Sequence, residues 1–356
     1  MATATGQGSA GTGDKEKGAG AVLFVIDTSG SMCVTTEVEG HLNLRGGWTR
    51  NLDHVRESGD AHNQRMPGQR PGITYISRLQ SMQAAIDKQL ETMSRECPER
   101  RVGLVTFNGE VTLVGDGSQE PRFIAGDRLG DPGALQEVGR SYPLTRPVLE
   151  ARERLGTTVF GLEEGGPTAL GPAAVAALSM LKERGGHGSR LVICTDGLAN
   201  VGLGALDCLK TDQDRDRVEA FYRNLGLEAS QHGVMVDVIS MDSDLCDLEN
   251  LGAMSDLSNG TVTKVKPADL AANFAGILAT PVLATQVSVK VLLHKGLKFR
   301  NTTAPSTQAS SAMSAPVGNI LERMVGNVTA ETELSFEYQV RPRAERQALG
   351  LPFDAP

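Results

Sequence analysis

The chain has 356 residues, is 40% hydrophobic and carries a formal net charge of −8 at pH 7, with aromatics at only 4%. That length admits one large domain or two moderate ones with a proper core, while the acidic balance and the scarcity of rings exclude a nucleic-acid surface of clustered Lys and Arg with stacking aromatics. No uncharged apolar run is long enough to span a bilayer and no hydrophobic signal segment opens the sequence, so a soluble, cytoplasmic protein is expected.

Residues 1–20 hold six glycines and no apolar period, which reads as a flexible tail. Val22-Leu23-Phe24-Val25-Ile26 then form an uninterrupted apolar run, the pattern of a strand covered on both faces in a parallel sheet. It leads into Asp27-Thr28-Ser29-Gly30-Ser31. Residues 33–72 are polar, Gly and Arg rich and poorly periodic, and are expected to be a long insertion at the ligand-facing edge. Ile76, Leu79, Met82, Ile86, Leu90 and Met93 step by three or four, marking an amphipathic helix that stops before Pro98. Arg101 to Phe107 and Val111 to Val114 are strands joined by an Asn108-Gly109 hairpin turn, so they should pair antiparallel at an edge.

Residues 116–142 are a Gly, Pro and Asp rich connection whose elements cannot be placed. A helix is expected over about Arg146 to Leu155, and a second after Pro172 through the Ala-rich run to Lys182, with Pro172 in a tolerant first turn. Strands follow at Leu191 to Thr195, Val234 to Ser240 and near Val262; helices at the Val218, Phe221, Tyr222, Leu225 face, near Leu245 to Leu257 and after Pro267. This alternation implies an α/β fold with a doubly wound, mostly parallel sheet. The pattern changes near Pro281: Val287, Val289 and Val291 alternate with polar residues, as do Leu334, Phe336, Tyr338 and Val340. That is half-buried antiparallel structure. The expected organisation is a tail over 1–20, an α/β domain over 21–282, a β-sandwich-like extension over 283–343 and a second tail over 344–356.

Parallel-sheet folds bind ligands at the carboxyl ends of their strands. Asp27, Ser29 and Ser31 sit at alternate positions after the first strand, so a curved loop can aim one carboxylate and two hydroxyls at one point. Thr168 lies in a Gly-Gly-Pro loop before the Ala-rich helix, and Asp196 closes the strand ending at Thr195. Together they offer hard oxygens suited to Mg²⁺, with Mn²⁺ or Ca²⁺ as alternatives. The bland reading is that Asp27, Ser29 and Ser31 cap the next helix; it leaves Thr168 and Asp196 unexplained.

Asp27-Thr28-Ser29-Gly30-Ser31, Thr168 and Thr195-Asp196-Gly197, in that order, resemble the metal-ion-dependent adhesion site of von Willebrand factor A domains over roughly residues 21–280. With the long insertion and the β-rich tail, the chain is most similar to the intracellular A module fused to circularly permuted Ras-like GTPases, with an extension like the β-sandwich of COPII coat trunk regions. The resemblance implies that Asp27, Ser29, Ser31 and Thr168 ligate the ion while Asp196 acts through water, and that a partner protein's exposed Asp or Glu completes the coordination. A Ras-like GTPase domain in the same full-length protein is a further implied partner. No GTPase core is visible in the sequence itself: Gly8 and Gly13 have phosphate-loop spacing, but Asp14 stands where the lysine should be.

Two other classes stay in view. A scaffold in a coat or GTPase assembly would use the same domain without an ion. A metal-dependent phosphatase or hydrolase with Asp27 as nucleophile would ordinarily want a second carboxylate where Ser29 stands, so an enzyme is not expected.

Other motifs read as structure. Asp212, Asp214 and Asp216 alternate as in a calcium loop, but Arg217 replaces the needed glycine, leaving an acid-rich helix start. Asp242, Asp244, Asp247 and Glu249 suit capping better than ligation. His41, His54 and His62 match no zinc-finger spacing, and Trp48 either faces a partner or pins the insertion. Cys33, Cys97, Cys194, Cys208 and Cys246 contain no Cys-x-x-Cys pair, which argues against a disulfide scaffold or zinc ribbon. Asn259, Asn301 and Asn327 each begin a formal glycosylation sequon, given little weight without a secretory signal.

Overall fold

The computed structural model describes residues 20–39, 73–184, 187–206, 211–241, 248–266, 269–300 and 319–351. Most of the insertion, with His41, Trp48, His54 and His62, falls outside them, as do Cys208, Asp242, Asp244, Cys246, Asp247 and Asn301. The strands of the main sheet are β1 (Val22–Asp27), β4 (Val102–Phe107), β5 (Val111–Gly115), β6 (Arg122–Ile124), β7 (Ser189–Thr195), β8 (Val234–Met241) and β9 (Val262–Val265), with β2 (Thr35–Glu39) and β3 (Ile73–Ser77) paired as a separate ribbon. The helices are α1 (Arg78–Glu96), α2 (Pro132–Arg140), α3 (Val148–Phe160), α4 (Leu170–Arg184), α5 (Asp212–Gln231), α6 (Leu248–Leu257) and α7 (Leu270–Ala279).

The main sheet runs β6-β5-β4-β1-β7-β8-β9. β4, β1, β7, β8 and β9 are parallel, and the β4–β5–β6 edge is antiparallel, with Asn108 and Gly109 in the turn as expected. β1 is central, and its unbroken apolar run serves two cores. Leu23 and Val25 pack with side chains of α2, α4, α5 and α6 on one face; Val22, Phe24 and Ile26 pack with those of α1, α3 and α7 on the other. Each such buried side chain contributes roughly 1.5–3 kcal/mol, which is why a polar residue appears only where the strand leaves the core, at Asp27.

α1 carries its expected stripe, with Leu79, Met82, Ile86, Leu90 and Met93 all buried. Ile76 belongs instead to β3, because Ser77 and Gln80 form a reciprocal capping box that starts the helix at Arg78. The unplaced connection at 116–142 contains β6, a short 3-10 turn and α2, whose Asp131 side chain caps Gly133 and Ala134. α5 begins at Asp212 with a Thr211–Asp214 capping box, so the alternating aspartates are a helix start. No helix among the described residues is long and apolar enough to cross a membrane.

Behind the sheet's ligand-facing edge, Arg190 donates to Asp237 at 2.7 Å with both side chains buried, and also donates to the Thr280 carbonyl at the end of α7. Thr261 donates twice to the other Asp237 oxygen. Burial pushes the Asp237 carboxyl up, and Arg190 and Thr261 work against that rise.

The C-terminal part consists of small antiparallel sheets: β10 (Ala284–Leu292) with β12 (Ile320–Val328), and β11 (Leu297–Phe299) with β13 (Tyr338–Val340). Val287, Val289 and Val291 are half-buried and alternate with exposed Ser288 and Lys290, as the sequence pattern predicts. The same expectation fails for Leu334, Phe336, Tyr338 and Val340, which are 39–55% exposed. Among the described strands only β11 pairs with this segment, and two strands make no buried face of their own. A short helix, α8 (Arg343–Ala348), lies where the sequence reading begins a tail.

Two asparagines fasten this extension to the α/β domain. Asn327 is fully buried and donates to the Val234 and Ser258 carbonyls at 3.0 and 3.1 Å. Asn259, in the left-handed region at φ 60°, donates to the Val325 and Asn327 carbonyls at 2.7 and 2.6 Å. Both sequon asparagines thus spend their amides internally.

Candidate metal centre

Asp27 closes β1 and Asp196 follows β7, its immediate neighbour in the sheet, so both carboxylates arrive at the same edge. Asp27, Ser29, Thr168 and Asp196 are buried and Ser31 is half-buried. The loop after β1 turns through a single 3-10 turn, Gly30–Cys33, for which Ser29 makes no side-chain cap. Capping therefore does not account for these hydroxyls. The Ser29 and Ser31 oxygens stand 3.1 Å apart, and Ser31 donates to Asp196 Oδ1 at 2.6 Å.

The Thr168 loop is tied to this turn by its backbone. Gly30 N–H donates to Gly166 O and Gly165 N–H to Thr28 O, each at 2.9 Å. Gly166 adopts φ 79°, a conformation that favours glycine and lets the two loops close together. Ala169 N–H donates to Asn108 O at 2.7 Å, joining the β4–β5 turn to the same cluster. A side-chain atom added at Gly197 would lie 3.4 Å from Ser31 Oγ and 3.8 Å from Thr168 Oγ1. Two loops thus aim hydroxyls at one small volume beside the Asp196 turn, which glycine leaves open.

Thr195, part of the Thr195-Asp196-Gly197 segment, and two residues outside the sequence reading shape the site. Thr195 donates to Asp27 Oδ2 at 2.6 Å, while Ser29 N–H donates to Oδ1 at 2.8 Å. Asn200 accepts from Thr168 N–H at 2.7 Å and its own N–H donates to Thr168 O at 3.0 Å, holding the threonine in place. Arg78, the first residue of α1, donates from Nη1 to Asp196 Oδ2 at 2.6 Å. Thr195 stands within the motif segment, though the sequence assigns it no role of its own. Arg78 and Asn200 carry no spacing signal and are found only through the fold.

Burial raises the Asp27 carboxyl from 3.8 to about 6 against the hydrogen bonds of Ser29 and Thr195, and the nearby Asp196 charge adds to the rise. Among the described residues no cation acts on it. A buried carboxylate with no counter-charge among the described residues, beside several hydroxyl oxygens, is chemically suited to a hard divalent cation. Among the described residues no group of three or more His, Cys, Asp or Glu side chains is placed to hold a metal, and this site brings only two carboxylates, its other oxygens being hydroxyls.

Comparison with known proteins agrees with this architecture. Residues 150–269 match the Sec23/Sec24 trunk domain family. Circularly permutated Ras protein 1 of Dictyostelium discoideum is 30% identical over 341 residues, covering 93% of this chain and 36% of that protein. Human protein transport protein Sec24A is 24% identical over 178 residues, 46% of this chain and 16% of its own length. The chain therefore spans a minor part of each relative. Among solved structures, a von Willebrand factor type A protein from Catenulispora acidiphila superposes with a TM-score of 0.52 at 16% identity, covering 91% of this chain and 58% of that one. Human COPII-coat protein Sec24c gives 0.52 at 12% identity, covering 91% and 39%. At these identities the likeness is one of fold: the chain has a von Willebrand factor A-like α/β domain with small antiparallel sheets at its C-terminus.

Proposed function

We propose that this chain is a protein-interaction module in which Asp27, Ser29, Ser31 and Thr168 hold a divalent cation, Mg²⁺ in the first instance and Mn²⁺ or Ca²⁺ as alternatives, with Asp196 behind them. The observation that carries the reading is Asp27: a buried carboxylate with no counter-charge among the described residues, beside hydroxyls from its own loop and from the Thr168 loop. When bound, the cation supplies an open coordination position that an Asp or Glu of a partner protein fills. Thr195 and the Ser29 amide orient Asp27, Asn200 fixes Thr168, and Ser31 bridges to Asp196. The hydroxyls that donate to carboxylates here, Ser31 to Asp196 and Thr195 to Asp27, hold the cluster together, and binding rather than catalysis is proposed.

The relatives support a setting for such a module. The likeness to a circularly permutated Ras protein and to Sec24A supports a cytoplasmic protein working beside a Ras-like GTPase domain or within a coat. A second reading, an ion-independent scaffold, is favoured by one observation: Arg78 already compensates Asp196 from within the chain.

The two readings separate on an array of immobilised peptides carrying Asp or Glu beside matched peptides carrying Asn or Gln. The metal-dependent module captures acidic peptides in Mg²⁺, releases them in EDTA, and loses them on Asp27→Ala. Capture indifferent to EDTA and to Asp27→Ala would leave the scaffold reading standing.

A further inference from the structure

We propose that Arg78 is a specificity-determining residue of this site, a built-in cation that weakens its hold on the metal and strengthens its hold on a partner's carboxylate. The inference rests on the metal-dependent reading above and goes beyond it by assigning the charge balance of the site to one side chain.

Arg78 lies outside the motif residues. Its position is fixed by the Ser77–Gln80 capping box and by a backbone bond from Arg78 N–H to Val34 O at 3.0 Å, which closes the base of the metal loop. Its guanidinium meets Asp196 Oδ2 at 2.6 Å, and Asp196 Oδ1 is taken by Ser31. The arginine side chain is 15% exposed and the aspartate wholly buried, so solvent screens the pair only slightly. Among the described residues Asp27 and Asp196 bring two negative charges to the site, and Arg78 brings one positive charge against them.

That difference acts in opposite directions on the two ligands. A site with one net negative charge attracts a dication less strongly than a site with two. Once loaded it carries a net positive charge instead of none, and it attracts an external carboxylate more strongly. A unit charge held against a partly buried site changes affinity by about tenfold or more. A neutral side chain at position 78 would therefore bind metal better and partner worse.

The test uses the whole chain, Mn²⁺ alone as the metal probe and acetate as the carboxylate probe. Mn²⁺ affinity is read by electron paramagnetic resonance, and acetate binding by loss of water-proton relaxivity as it displaces bound water. Arg78→Met should bind Mn²⁺ about tenfold more tightly and acetate about tenfold more weakly. Arg78→Lys should stay near wild type in both. Circular dichroism establishes that each variant is folded.

If the wild type binds Mn²⁺ through Asp27 but Arg78→Met binds it no more tightly, or if Arg78→Lys departs from wild type as far as Arg78→Met does, the role of Arg78 is overturned while the metal site stands. If neither wild type nor Arg78→Met binds Mn²⁺, the metal reading itself fails and the role of Arg78 fails with it. Binding by Arg78→Met alone supports the proposal in its strongest form.

Discussion

Arg78 and Asp196 are 118 positions apart in the chain and 2.6 Å apart in the fold, joining the start of α1 to the turn after β7. Removing the arginine leaves a fully buried carboxylate without its partner, and such losses cost several kcal/mol. In EDTA, Arg78→Met should lose about 2–4 kcal/mol in urea unfolding, the lower end reflecting the partial exposure of Arg78. Adding Asp196→Asn should recover most of that loss.

Arg190 and Asp237 form the corresponding buried pair away from the site, and Arg190 also holds the end of α7 through the Thr280 carbonyl. Arg190→Met is expected to destabilise the protein by about 3–5 kcal/mol. Because this pair lies away from the metal loop, Mg²⁺ binding by the protein that remains folded should be unchanged. A calorimetric titration beside a thermal melt checks both halves.

Asp116 gives the stability a pH dependence of known sign. Burial pushes its carboxyl up, but hydrogen bonds from Ser118, Arg146 and Thr145 outweigh burial and hold it below its ordinary value of 3.8. A carboxyl depressed in the folded state contributes stability above its unfolded value, and that contribution disappears as pH falls through the folded value. Asp116→Asn should therefore cost about 2–3 kcal/mol at pH 7, with the gap closing below about pH 4. Urea unfolding of both proteins between pH 7 and pH 3 reads this directly.

Asn259 joins two requirements that can be taken apart. Its backbone sits at φ 60° and its amide donates to two β12 carbonyls. Asn259→Gly keeps the backbone conformation and loses only the clamp, whereas Asn259→Ala loses both. The alanine variant should be the less stable by about 1 kcal/mol, and both should speed amide hydrogen exchange in β12 relative to β8.

The sheet and most of its helices were legible because burial on both faces leaves an unmistakable run such as Val22 to Ile26, and one-sided burial leaves a stripe such as Leu79 to Met93. The site was legible in part for a related reason. Asp27 and Asp196 stand where apolar strands end, and a polar residue there has few structural uses. Arg78 and Asn200 were not legible, since each meets its partner across a turn or a loop and nothing in the adjacent sequence marks the encounter. The exposure of Leu334 to Val340 escaped for the opposite reason: alternation says that a face is apolar, and only the fold says whether anything covers it. Of the three sequons, Asn259 and Asn327 have a structural use that the sequence does not show: their amides hold the extension in place.

The most direct test is an anomalous difference map from a crystal of this protein soaked in Mn²⁺, collected beside a crystal of Asp27→Ala. A peak bounded by the Asp27 carboxylate and the Ser29, Ser31 and Thr168 hydroxyls, absent in the variant, is expected. A wild-type map with no peak there would contradict a metal-held site at this edge of the sheet, and so would a peak that persists without Asp27.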